Sequence, residues 1–339
     1  MAEGDHRQLT ELPIAEALPA MQALASRTWT PESRQHPGQL AWSYAYGTPE
    51  DLAHGPTALL TRDDEVVAWA WAESDDWMEL CVDPAALDAG DAAVAWFLER
   101  TGDGVVRTMA LDTEEHVIAA LDRAGFVVEE EAPWFTHHLL DLADLVAVPE
   151  VPGYTFRHVE PGEAAARAAC HRAAWTPPGG TSKVSTAAYE RLMATPPYRH
   201  DLDWVALDAH GEMVASAMVW LDPVTGGALV EPVGCAPEHR GHGLAGAVSI
   251  AALRAARDLG GRLGLVCPRG DDAYPVPMRI YSGSASSPAL ARSPSSGPFW
   301  RSERASARRV AEASWASDRA PRRVSPPRPP PGVVLGRDR

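Results

Sequence analysis

"APEHRGHGLAGAV", residues 236–248, sets Arg240, Gly241, His242 and Gly243 directly before a long apolar pattern. Leu244, Ala247, Val248, Ala251, Leu253, Ala255 and Leu259 recur at roughly helical spacing. They predict a helix over 243–259, with Gly260 as its stop. Upstream, "ALVEPVGCAP" (228–237) reads as a strand. A glycine turn between strand and helix has a chemistry of its own. The helix start leaves backbone N–H groups unpaired and carries partial positive charge. Gly241 and Gly243 let the backbone approach a ligand closely. Arg240 adds a fork of donors suited to phosphate. Together these parts make a pyrophosphate cradle. Taken alone the short pattern carries little, because about one chance match is expected in a chain this rich in Ala, Gly and Arg. Its place between strand and helix gives it weight.

The surroundings of the turn recur earlier in the chain. "DWVALDAHGEMVASAMVWL" (203–221) predicts two strands joined at His210-Gly211. "TALLTRDDEVVAWAWAE" (57–73) predicts the same, joined at Asp63-Asp64. A third strand follows each pair, "WMELCVDP" (77–84) in the first half and 228–237 in the second. A helix then follows, over 91–100 and 243–259, and after the second comes the strand "RLGLVCP" (262–268). This order implies an α/β (α+β) fold with mixed sheets in two tandem domains. The expected boundaries are 1–148 and 152–281, joined by "LADLVAVPEVPGY" (142–154), which has two prolines. Aligning Pro84 with Pro237 sets Leu87, Asp88, Ala89, Gly90, Asp91 and Ala92 opposite Arg240 to Ala245. The arginine is gone and two aspartates have entered. The first domain is therefore expected to be a degenerate copy that does not bind the phosphate ligand.

Composition narrows the function. The 339 residues suffice for two or three domains. A formal net charge of −16 argues against nucleic acid as a partner. Cys81, Cys170, Cys235 and Cys267 form no CxxC pair, which fits a reduced cytoplasmic protein and gives no sign of a metal site. No apolar run nears the ~20 residues of a membrane helix, so no membrane partner is expected. From Ser282 onward the chain changes character. Eleven Arg face four Asp or Glu, with twelve Ser and nine Pro. Residues 282–339 read as a basic, disordered tail.

"EPVGCAPEHRGHGLAGAV" (231–248) resembles the acetyl-coenzyme A segment of the GCN5-related N-acetyltransferases, the GNAT family. The resemblance spans 203–281 and, more loosely, both halves, like bacterial tandem members including the mycothiol synthases. It implies that Val233, Gly234 and Cys235 line the pantetheine arm. It likewise implies that Arg240, Gly241, His242, Gly243, Leu244 and Ala245 hold the phosphates of acetyl-coenzyme A, used as co-substrate without a metal. The implied reaction is acetyl transfer to a small-molecule primary amine by direct attack in a ternary complex. The alternatives are mycothiol synthase-like acetylation of a cysteinyl amine and a non-catalytic acyl-coenzyme A binder or sensor. A homodimer is a further expectation.

An amine must be neutral to attack, so a base is needed. Glu231, a carboxylate in an otherwise apolar strand, is the candidate, and the family often has a glutamate there. A solvated strand residue is the plain alternative. "PVPMRIY" ends in Tyr281, which by resemblance is the acid that protonates the departing sulfur. A core tyrosine is the other reading. The family often has asparagine seven residues before this tyrosine, where Tyr274 stands here. Trp175 and Tyr189 are candidates to line the acceptor pocket. After Tyr281 the family usually continues into Leu-Gly-Phe and two closing strands, and the Ser-rich tail does not. A single lost base after the Tyr281 codon would produce this tail from that ending and would deprive the second domain of its last strands. A natural basic linker is the alternative.

Overall fold

The computed structural model describes residues 7–46, 55–101, 104–176, 180, 182, 184–271 and 291–302. Tyr281 and residues 303–339 lie outside these. The first half runs β1 (Arg7–Leu12), α1 (Ile14–Thr28), α2 (Pro37–Ala45), β2 (Thr57–Arg62), β3 (Glu65–Ser74) and β4 (Trp77–Val82). It continues with α3 (Leu87–Thr101), β5 (Arg107–Met109), α4 (Glu115–Arg123), β6 (Phe126–Val128) and β7 (Phe135–Asp141). The second half runs β8 (Thr155–His158), α5 (Ala164–Trp175), α6 (Thr186–Ala194), β9 (Asp203–Leu207), β10 (Met213–Leu221) and β11 (Gly227–Cys235). Then come α7 (Leu244–Asp258), β12 (Leu263–Val266), β13 (Ala291–Gly297) and β14 (Phe299–Ser302). No described helix is long and apolar enough to cross a membrane.

Local chemistry sets the repeated hairpins. Asp63 and Asp64 both take positive φ, 51° and 67°, a conformation that Asp tolerates and that matches strand twist. Gly211 does the same at +83° between β9 and β10. Gly260, at +97°, ends α7 as its sequence position predicts. The first-half helix differs from expectation. It begins at Leu87, not at residue 91, because the Asp83 carboxylate accepts the Ala85 N–H at 2.9 Å and starts the turn early.

Two mixed seven-stranded sheets result, in the orders β1-β2-β3-β4-β5-β14-β6 and β13-β7-β12-β11-β10-β9-β8. They exchange strands across the expected boundaries. β7, from the first half, pairs antiparallel with β12, matching Leu139 with Leu265. β14 inserts between β5 and β6, with Trp300 opposite both Thr108 and Val128. Trp300 is buried in the first-half core beside Phe97 and Phe126. Within the segment 282–339, expected to be disordered, Ala291–Gly297 and Phe299–Ser302 are strands, one in each sheet. β13 pairs with β7 at its two ends only, and the register skips the stretch containing Pro294, which has no N–H to give.

One loop joins the halves. Trp29 lies where a side chain at Gly227 would stand, 2.7 Å from its Cβ position. Gly38, at the start of α2, sits so tightly on Trp220 of β10 that a Cβ would fall 2.1 Å from the tryptophan Cβ.

Candidate active site

β11 and β12 run parallel from Gly227↔Leu263 to Leu229↔Leu265, where the pairing ends. Beyond that point no described strand pairs with this edge of β11. On its other edge β10 shifts register, since Ala217 faces Val233 whereas Val219 faces Val230. The bulge falls at Glu231-Pro232 and re-aims the chain at the mouth of the splay. Trp220 donates from Nε1 to the Glu231 carbonyl at 2.7 Å and holds the bulge.

Glu231 is half-buried. Leu229, two residues earlier, packs with Trp29 and Ala45 of the first half. Burial pushes the Glu231 carboxyl up to about 7, against the pull of the Arg34 guanidinium from the first half. A group poised there is about half ionised at neutral pH, and its carboxylate form is ready to take a proton. Cys267, just beyond β12, also feels Glu231, and burial drives its thiol upward.

The turn follows within a few residues. Gly241 and Gly243 have φ of +85° and +79°, and a Cβ at either would meet nothing within 4 Å. The helix bonds of α7 begin with Ala247 N–H to the Gly243 carbonyl at 3.0 Å. The N–H groups of Leu244, Ala245 and Gly246 precede that bond and lack helical acceptors. Open space, positive φ and a 15-residue helix behind the turn fit a pyrophosphate.

The remaining candidates fall into place unevenly. Arg240 is exposed and directed back from the turn: Nε donates to the Cys235 carbonyl at 3.1 Å and Nη2 to the Ala174 carbonyl at 3.1 Å. It ties the end of β11 to the end of α5. His242 is exposed, with Nδ1 3.2 Å from the His239 carbonyl. Leu244 is buried in the core and offers only its backbone. Cys235 packs beside Leu244, and burial raises its thiol to about 11, so it is no thiolate nucleophile at neutral pH. At Gly234 a Cβ would meet the Ala174 Cβ at 2.7 Å and the Trp175 Nε1 at 2.8 Å. Trp175 thus lies against β11. Tyr189 is 1% exposed, with the Arg167 guanidinium 4.9 Å from its ring, and belongs to the core. Tyr281 lies outside the described residues. Arg34, Trp220 and Tyr154 form part of the site surroundings without any local sequence signal.

Tandem halves, a strand bulge at the mouth of a parallel splay and a glycine turn at a helix start together define the candidate site of a mixed α/β fold. Solved structures share the fold. The chain resembles a GCN5-related N-acetyltransferase from Sphaerobacter thermophilus, with TM-score 0.57 and 16% identity, covering 89% of this chain and 98% of that one. It also resembles a tandem GNAT protein from the clavulanic acid biosynthesis pathway, solved without AcCoA, with TM-score 0.58 and 18% identity, over 89% and 100%. A GNAT-family acetyltransferase from Colwellia psychrerythraea matches with TM-score 0.53 and 13% identity, over 87% and 98%. No family model and no curated protein matches the chain. The chain has the GNAT fold in tandem.

Proposed function

We propose that the chain is an N-acetyltransferase that moves acetyl from acetyl-coenzyme A to a small-molecule primary amine, by direct attack in a ternary complex. One observation carries this reading: Glu231, with its carboxyl near 7, stands on a bulge at the open β11 edge, a few residues before the glycine turn.

When bound, the coenzyme supplies an acyl group activated as a thioester. The chain supplies the rest. The backbone of Val233 and Gly234, on the edge of β11 that no described strand pairs, would hold the pantetheine arm. The N–H groups from Gly241 to Ala245 would hold the phosphates. Glu231, charged above about pH 7, takes a proton from the ammonium form of the acceptor and leaves a neutral amine. Trp175, against Gly234, closes one wall and excludes water. Tyr281 is proposed, by resemblance, to return a proton to the sulfur.

The test is an amine-panel assay of free-thiol release, run with calorimetry of acetyl-coenzyme A binding. Glu231→Gln is expected to keep binding and lose turnover. If the wild type binds acetyl-coenzyme A and no amine releases thiol, it is a binder or sensor. Turnover restricted to cysteinyl amines would point to mycothiol synthase-like chemistry instead.

A further inference from the structure

The turn before α7 has two flanks. On the flank toward the β11/β12 splay stand Gly234 and the clasp of Arg240 to Ala174. On the other stand His239, His242 and Tyr154, a residue of the linker between the halves. The Tyr154 hydroxyl is 3.0 Å from His239 Nδ1, and its ring centroid is 5.8 Å from that of each imidazole. Next to Tyr154 the linker encloses an open hollow of about 360 Å³. Its walls include Pro149, Pro152 and Phe156, and Glu150 supplies the one carboxylate in its lining. Gly153, at φ +86°, closes the small turn in which Tyr154 N–H reaches the Val151 carbonyl at 3.1 Å.

An extended ligand that enters along the β11 edge and lays its pyrophosphate on the turn can continue onto the opposite flank. There it meets an aromatic ring, two imidazoles and apolar walls. We infer that the hollow of residues 148–156 receives the nucleotide end of the coenzyme, with Tyr154 stacking on the adenine. This inference rests on the acetyl-coenzyme A reading of the site. The ring supplies a stacking face that every base can use. The imidazoles supply donors toward phosphate oxygens. The linker between the halves thus becomes a wall of the binding site.

Calorimetry with the full-length chain tests it, using acetyl-coenzyme A and S-acetyl-4′-phosphopantetheine, which lacks the nucleoside. Tyr154→Ala is expected to weaken acetyl-coenzyme A about tenfold, in the range for loss of one base–aromatic stack. The truncated ligand is expected to change less than about twofold. Tyr154→Phe keeps the ring, loses the His239 contact and is expected to bind like the wild type. Equal weakening of both ligands, or no weakening of either, overturns the inference. If Tyr154→Ala does not fold, the exposed Glu150→Arg decides. Several-fold tighter binding of acetyl-coenzyme A alone upholds the inference, and unchanged binding overturns it. A wild type that binds neither ligand removes the acetyl-coenzyme A reading itself, and the role of the hollow with it.

Discussion

The two halves present the same splay in opposite conditions. In the second, β11 separates from β12 after Leu229, and among the described residues no side chain bonds to the backbone of Val233 or Gly234. In the first, β4 meets β5 only at Trp77↔Arg107, and the chain fills the gap itself. Gln35 donates to the Leu80 carbonyl at 3.2 Å, and His116 Nε2 lies 3.1 Å from the Val82 carbonyl. Below them Arg34 grips Glu79 with both terminal nitrogens, joined by Gln35 and the Trp77 indole. The turns differ as sharply. Residues aligned with Arg240 to Gly243 are helix in the first half, and Gly90 is packed 3.2 Å from the Ala120 Cβ where a side chain would begin. Asp88 and Asp91 pair on the surface with Arg62 and Arg123. Among the described residues, one fold therefore makes a plugged cleft and an open one, and the difference lies in what the chain places at the strand edge.

The largest expected effect sharpens this contrast at its centre. Glu231→Gln should lower kcat by about 10²–10⁴-fold, the range for a general base. In the wild type, kcat/KM should rise with pH up to about 7 and then level, because only the carboxylate form accepts the proton. Glu231→Gln should lack this limb, and an unchanged profile removes Glu231 as base. Next comes the plug. Arg34→Ala strands the buried Glu79 and should cost about 3–5 kcal/mol by denaturant unfolding. Arg34→Met with Glu79→Leu should recover most of that. The double variant also removes the positive charge that restrains Glu231, so the pH limb should move upward. A limb that stays in place breaks the link between plug and base. Gly243→Ala forces a side chain into φ +79° and should cost about 1–2 kcal/mol while weakening acetyl-coenzyme A. Smallest is Asp88→Ala, an exposed pair worth about 1 kcal/mol or less, with acetyl-coenzyme A affinity unchanged. Tighter binding would show that the first half holds the coenzyme after all.

What could be read from the residues was local. Positive-φ aspartates, glycine stops and apolar periodicity fix the hairpins β2–β3 and β9–β10 and the span of α7, because each depends on neighbours in sequence. The turn at Gly241–Gly243 was legible for the same reason. The exchange of β7 and β14 was not, since strand partnership is decided by distant edges, β7 looks like an ordinary end of its own half and β14 lies in a segment that reads as tail. Composition also misled. The Ser- and Pro-rich tail contains Phe299 and Trp300, two large aromatics that find buried places at a sheet gap. Arg34 gave no sign of its role, because its partners Glu79 and Glu114 come from elsewhere in the chain. Tyr154 reads as linker until His239 and His242 are seen beside it.

The strand exchange makes the two halves hard to part. A protease that cuts within residues 142–154 severs the only covalent link before β8, yet β7 remains seated beside β12 and β14 between β5 and β6. The fragments should migrate together under native conditions and separate only in denaturant. On the ribosome the same topology imposes a delay. The first sheet keeps a gap between β5 and β6 until residue 302 has emerged, so the earliest part of the chain to be made is among the last to be finished.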